Sequence, residues 1–494
     1  MSSRGIAWVA AIVVLGASSA RAQPLDEAMR LFADASYAEA APLFFAALQR
    51  DVGAARREQA QRFLAESLRR LGIAFAALFY DGDTVASAPQ SPYAAEARAS
   101  LLAIREQLHD PLVVPTLLSR SIDATTVVRA GEDGDQIDYL LGELAVRNRR
   151  DAEALAFLSR VSPTGRWYPR ARYLLGVMAI QAGDSWAAIG HFEAVSTAVG
   201  ANPATRELAR ARDLATLALA RTRFGMGDFT AAAVIYGQIP RGSDVWFDAL
   251  YESAWSYFRA HDYGRALGRL QSVASPYFSA RHIPEAYVIQ ASTYFVNCQW
   301  DRVREVVRMF DAHHGPMRAQ LRDYLQRERP AGDYYEAVVA GGGDAFAAEI
   351  ARTLRRKTRF LDYHYMLTHL RWERDAIAKI DTWRGSQLTA DVAGILQQYE
   401  TQLLQVVGSW IRGRLRTILA ELQADAQQMR ILDFEMTDAE RRWLEQGREV
   451  LKGRRARLPR PTIPGDQWQH WRFSREYWRD ELGYYEVAMR SECE

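Results

Sequence analysis

Nine histidines, two cysteines and a large set of carboxylates could do chemistry in this 494-residue chain, and their spacing decides whether they do. His313 and His314 stand beside Asp311 in "FDAHHGP", which reads as a helix end. His364 and His369 are five apart and so share a helical face poorly. Neither pair has a ligand spacing such as H-E-x-x-H, so no metal is expected. "GDSWA" (183–187) lacks the second glycine of a nucleophile elbow. "AGGGD" (340–344) lacks the spacing and the Lys-Ser/Thr of a phosphate loop. These motifs imply no catalytic residue and no cofactor. Cys298 and Cys493 remain, either as two free thiols or as one disulfide, depending on the compartment.

The first residues speak to that compartment. Arg4 precedes an apolar run from Ile6 to Leu15, and Ala20-Arg21-Ala22 forms an A-x-A site. The expectation is a secretory signal peptide over 1–22, cut after Ala22, with no cysteine nearby to carry a lipid anchor. Its apolar run is too short to span a bilayer, and no later stretch approaches ~18 uninterrupted apolar residues. The mature chain is therefore expected to have no transmembrane segment and to work in the periplasm, with secretion as the alternative. The formal charge is +2, and removal of Arg4 and Arg21 makes the mature chain neutral. That argues against a nucleic-acid partner, whose binding is dominated by phosphate charge. Two basic runs, "RTLRRKTRF" (352–360) and "KGRRARLPR" (452–460), read as a solvated helix face and a linker.

The elements that position these residues follow from self-similarity. "YLLGVMAIQAGDSWAAIGHFEAV" (173–195) presents Gly176, Gly183-Asp184, Ala188, Phe192 and Val195. A shift back by 34 gives Gly142, Arg149, Ala154, Leu158 and Val161. The segment 217–239 offers Ala220, Gly227, Phe229, Ala232, Tyr236 and Ile239, and a further shift of 34 gives Ala254, His261, Tyr263, Ala266, Leu270 and Val273. Small residues at the first and third landmarks let paired helices approach, and the Gly-Asp-aromatic segment reverses the chain. One hairpin cannot bury its own apolar face, so the hairpins must stack.

These residues resemble the tetratricopeptide repeat (TPR), with units near 25–49, 60–80, 136–162, 170–196, 214–240, 248–274 and 285–311. The resemblance covers about half the chain and implies an all-α, TPR-like helical-hairpin solenoid. The second unit degenerates at Asp81-Gly82-Asp83, and residues 82–135 read as an excursion with helical pieces. The chain divides into the signal peptide, degenerate N-terminal helices with an insertion (23–135), the array (136–330), a helical connector (331–383), a long helix with an antiparallel return helix (384–450), and a Pro-rich strap with an aromatic C-terminal capping helix (451–494). The long helix starts near Thr389 and carries a coiled-coil-like seam: Leu388, Val392, Ile395, Tyr399, Leu403, Val406 and Trp410. Thr437 with Glu440 reads as a capping box for the return. Ser474 caps the last helix, and its stripe is Trp478, Leu482, Tyr485 and Met489.

In a TPR array the first helix of each hairpin lines the concave side. The resemblance thereby implies a protein-binding groove of Tyr139, Glu143, Arg147, Arg221, Phe224, Asp248, Tyr251, Trp255, Phe258, Arg259, Glu285 and Phe295. Those residues either face a partner or are buried beneath the chain's own long-helix arm or C-terminal helix. The whole is similar to exported envelope TPR proteins of myxobacteria-like lineages, some of which serve motility or surface-assembly machines. That implies a non-catalytic scaffold for protein partners in the cell envelope. The alternative is a peptidoglycan-binding or peptidoglycan-cleaving solenoid. Lytic transglycosylases use a Glu followed by Ser, which Glu66-Ser67 and Glu252-Ser253 match, but no Gly-Leu-Met-Gln-like segment follows either. Cys298 falls on the turn landmark of the seventh unit, at the edge of the array. A bond from Cys493 to Cys298 would pin the chain end across that unit.

Overall fold

The computed structural model describes residues 23–50, 53–122, 132–278, 281, 283–446, 463, 465–470 and 476–493. Among them the regular structure is α-helix with two short 3₁₀ turns, and no strand occurs. The expected signal peptide, the basic run 452–460 and the Ser474 cap lie outside the described residues.

The helices follow one another as hairpins. They are α1 (Gln23–Ala33), α2 (Tyr37–Leu48), α3 (Ala54–Arg70), α4 (Ala74–Ser87), α5 (Ala94–Leu108), α6 (Val113–Leu118), α7 (Glu132–Arg147), α8 (Asp151–Arg160), α9 (Tyr168–Gln181), α10 (Ser185–Val199), α11 (Arg206–Gly225), α12 (Phe229–Gly237), α13 (Trp246–Arg259), α14 (Tyr263–Val273), α15 (Glu285–Phe295) and α16 (Trp300–Leu325). One turn chemistry recurs between partners. A single residue with positive φ ends the first helix, at Ala35, Gly72, His109, Arg149, Gly183, Gly227, His261 and Cys298. Glycine adopts that conformation without penalty, yet five of these eight residues carry a side chain, so the hairpin imposes it. In four turns the next residue is an aspartate whose carboxylate accepts from the start of the second helix; in three of them Asp184 accepts from Ala187 N at 2.9 Å, Asp228 from Ala231 N at 3.2 Å and Asp262 from Arg265 N at 3.2 Å.

The same turn corrects the reading of the N-terminal third. The second hairpin reverses at Gly72, and Asp81-Gly82-Asp83 lie inside α4. The stretch 94–118 is a hairpin too, built on His109 and on Asp110, which accepts from Leu112 N at 2.9 Å and Val113 N at 2.8 Å. A His-Asp turn has the geometry of a Gly-Asp turn without its sequence signature.

The remaining helices are α17 (Ala331–Val339), α18 (Ala348–Arg355), α19 (Thr358–Ile377) and α20 (Gln387–Glu445). The chain forms two compact units: residues 1–126 with 362–403, and residues 127–361 with 404–494. In the first unit α1–α6 pack on one another in sequence, and α4 meets α19 and α20, the Tyr80 hydroxyl donating to Asp391 and Phe75 lying against Tyr399. The fully buried Glu373 of α19 accepts hydrogen bonds from Ala74 N and Phe75 N, capping α4 from a distant segment. Trp383 is fully buried and donates from Nε1 to Ala38 O at 2.7 Å. Ser386 caps α20, accepting from Thr389 N at 3.2 Å.

In the second unit α7–α16 stack as successive neighbours. The small landmarks are close-contact positions. A Cβ on Gly142 would strike Leu158 and one on Gly176 would strike Phe192, so each glycine is the seat of the large residue on its partner helix. Ala220 and Ala254 hold the equivalent positions and are fully buried. The helix expected to end at His313-His314 runs on through Gly315 and Pro316 to Leu325, because Phe310, His314, Met317 and Leu321 continue one buried stripe.

The C-terminal elements differ from expectation. No return helix forms: α20 is continuous to Glu445, and the Thr437 hydroxyl donates back to Asp433 O at 2.8 Å instead of capping. No glycine or proline stands between 414 and 445 to stop the helix. Its stripe of Leu415, Ile418, Leu422, Ala426, Met429 and Met436 stays buried throughout. Beyond Leu403 the stripe passes through Val407 and Ile411 rather than Val406 and Trp410. Likewise residues 476–493 form no capping helix. They make a turn at 479–484, with Gly483 at φ 86°, and then run over α14 without regular secondary structure. Val487 N donates to Gly264 O at 3.0 Å, Gly483 N to Ser272 Oγ at 2.8 Å and Glu492 N to Asn297 O at 2.9 Å. Gly268 lies beneath the carbonyl of Tyr485, where a Cβ could not fit. The Cys298–Cys493 disulfide, with a Cα separation of 5.1 Å, closes the segment onto the hairpin turn.

Candidate partner-binding face

All twelve groove candidates belong to the second unit, and the structure sorts them into three groups. Tyr139 is buried and stacks on Trp167 at 5.0 Å between centroids. Its neighbours on α7, Glu143 and Arg147, pair with each other at 2.7 Å.

The second group lies under α20. Tyr251, Trp255, Phe258 and Phe295 are half-buried against a core that includes Ala426, Met429, Leu432 and Met436 of that helix. The far end of the groove is thus filled by the chain itself. Glu285 is exposed and accepts from the Tyr251 hydroxyl. Asp425 of α20 faces Glu285 and Glu421; burial, then those two like charges, pushes its carboxyl up to about 7.

The third group stays at the surface. Arg221 is exposed and makes a two-pronged bond to Glu252, at 2.7 and 2.5 Å, while the Tyr236 hydroxyl donates to the same carboxylate at 2.9 Å. Arg259 is exposed and lies 4.3 Å from the centroid of Phe229, whose other side meets Phe224 at 5.1 Å. Half-buried Asp248 is raised by burial, with Arg281 and Lys357 pulling against that rise. Charged groups and aromatic edges therefore alternate across α11 and α13.

Sequence reasoning missed Trp186. It is 67% exposed, at the start of α10, with the Arg223 guanidinium 5.7 Å from its ring. Aligning the turns puts Ala152, Thr230 and Gly264 at its position in the other hairpins. A tryptophan where those three hairpins of the same array take a small or polar residue is the signal that could have found it.

The two Glu-Ser pairs differ from a catalytic acid. Glu66 is buried; burial raises its carboxyl, but hydrogen bonds from Arg69 and Arg70 and the charge of Arg62 outweigh this and hold it below the usual range. A glycosidic general acid needs the opposite shift. Glu252 is occupied by Arg221 and Tyr236. Among the described residues no group of three or more His, Cys, Asp or Glu could hold a metal ion, and no helix is long and apolar enough to cross a membrane. The chain matches no protein-family model and no curated protein.

Proposed function

We propose that this chain is an exported, non-catalytic scaffold of the TPR type that binds a protein partner in the cell envelope, within an assembly of the motility or surface-building kind. The observation that carries this reading is the surface-exposed set Arg221, Arg259 and Trp186 on consecutive hairpins. Tryptophan and arginine dominate the energetics of protein interfaces. A disulfide at a repeat turn supports export, since such bonds persist in oxidising compartments. The partner engages the exposed face marked by these three residues, on the start of α10, the second half of α11 and the last turn of α13.

The test is capture of a partner from envelope extracts on the immobilised full chain. A stable partner retained by the wild type and lost by the Arg221→Ala/Arg259→Ala double variant, with circular dichroism unchanged, supports the face. Equal capture by both would sink it. Incubation with purified cell-wall sacculi checks the non-catalytic part, because release of soluble muropeptides would overturn it.

A further inference from the structure

The face of α13 that points away from the groove carries a second feature. A cleft of about 210 Å³ opens between the α12–α13 loop, α13, α14 and the terminal segment. Arg241, Trp246, Leu250, Arg269, Leu482 and Tyr484 line it. The volume is below the ~300–1,000 Å³ of drug-sized sites, so it suits a single ring or branched side chain rather than a nucleotide or a large cofactor.

Its electrostatics are one-sided. The Arg241 guanidinium stacks 4.5 Å from the centroid of the Tyr484 ring and 6.0 Å from that of Trp246. Arg269 is 5.4 Å from the Tyr257 ring and donates to its hydroxyl at 3.4 Å. Neither arginine has a carboxylate within ion-pair distance among the described residues, whereas Arg210, Arg221 and Arg265 nearby each have one. A guanidinium stacked on an aromatic face keeps its in-plane N–H fork available for a planar anion. Leu250, Leu482 and Trp246 supply the apolar wall beside that fork. Leu482 is buried, and its segment is fixed by the Gly483–Ser272 bond and by the disulfide, so the wall stands without a ligand.

We infer that this cleft binds a carboxylate-bearing ligand whose body is one aromatic or branched aliphatic group, with Arg241 and Arg269 on the carboxylate and Trp246, Leu250 and Tyr484 around the body. It shares no lining residue with the twelve groove candidates, so the inference stands or falls apart from the proposed function.

The experiment is calorimetric titration of the oxidised full chain with N-acetyl-L-phenylalanine, its neutral amide, and phenyl phosphate. Saturable binding of the acid is expected, with the amide weaker by about tenfold or more, because it forfeits the charge-assisted bonds. Arg241→Ala and Arg269→Ala should each weaken the acid by a similar factor and leave the amide unchanged; Tyr484→Ala should weaken both. Arg241 lies in an exposed loop, so its variant keeps the fold and isolates the charge. Three results would overturn the inference: equal binding of acid and amide, no saturation up to about 10 mM acid, or full affinity in Arg241→Ala. Phenyl phosphate binding more tightly than the acid would overturn the carboxylate assignment.

Discussion

Glu373 shows how much one residue can hold in this fold. Its carboxylate is fully buried, accepts from two backbone N–H groups at the start of α4, and lies 3.2 Å from His369 Nε2. Removing a charged acceptor that leaves buried donors unmatched costs about 1–3 kcal/mol. Glu373→Ala should therefore lower the urea midpoint of the unit formed by 1–126 and 362–403; an unchanged midpoint would show the cap to be dispensable. Trp186 and Trp255 make a second contrast. Trp255 packs beneath α20 and Trp186 faces solvent. Truncating a buried tryptophan costs about 3–5 kcal/mol when fully enclosed, and somewhat less at a half-buried site. Trp255→Ala should depress the melting temperature, whereas Trp186→Ala should leave it within a degree or two and reduce partner capture. The reverse pattern would exchange their roles. The burial of Trp255 was not legible from residue type, because it depends on the course of α20; Trp186 stands out only when the hairpin turns are aligned.

Among the elements, α20 departs most from its expected form. The apolar spacing from Leu388 onward predicts a long helix, and one forms. The return predicted at Thr437 does not, since a serviceable cap does not end a helix whose apolar stripe continues unbroken. Through this continuity α20 places Asp425 opposite Glu285 of α15, with Glu421 on its own helix and the Tyr251 hydroxyl of α13 nearby. The folded carboxyl of Asp425 titrates near 7, above its value of about 3.9 in the unfolded chain. Its contribution to stability is therefore complete below about pH 4 and is lost as pH rises through 7. Hydrogen exchange in the 418–436 segment should accelerate between about pH 4 and 7 beyond the intrinsic chemical trend, level off above 7, and Asp425→Asn should abolish that excess. An excess that persists in the variant would assign the effect elsewhere. The terminal segment teaches a related lesson. Trp478, Leu482, Tyr485 and Met489 have helical spacing, but only Leu482 and Tyr485 are buried, and the backbone forms a turn and then no regular structure. Gly264 and Gly268 leave a notch on α14 that accepts this segment, and backbone bonds to Gly264 and Asn297 replace those of a helix.

For the molecule as a whole, the disulfide joins residues 195 apart in sequence. Loop-closure entropy assigns such a cross-link an upper value of ~5 kcal/mol, with measured bonds more often near 2–4 kcal/mol. Cys298→Ser/Cys493→Ser should lower the denaturant midpoint of the unit that holds both cysteines and leave the other unit's midpoint in place. Equal loss in both units would mean that they unfold as one. The sequence by itself determined the hairpin period, the small residues at the helix contacts and the turns at Arg149, Gly183, Gly227 and His261, because these depend on local sterics and on a repeat that restates them; it left the two thiols either free or bonded. Only the tertiary structure decided that His109-Asp110 makes a hairpin turn, that α20 runs on and fills half the groove, that the chain end forms no helix, and that Arg241 and Arg269 share a cleft. Each of these depends on what covers a surface, and burial is settled between segments far apart in the chain, where no local spacing records it.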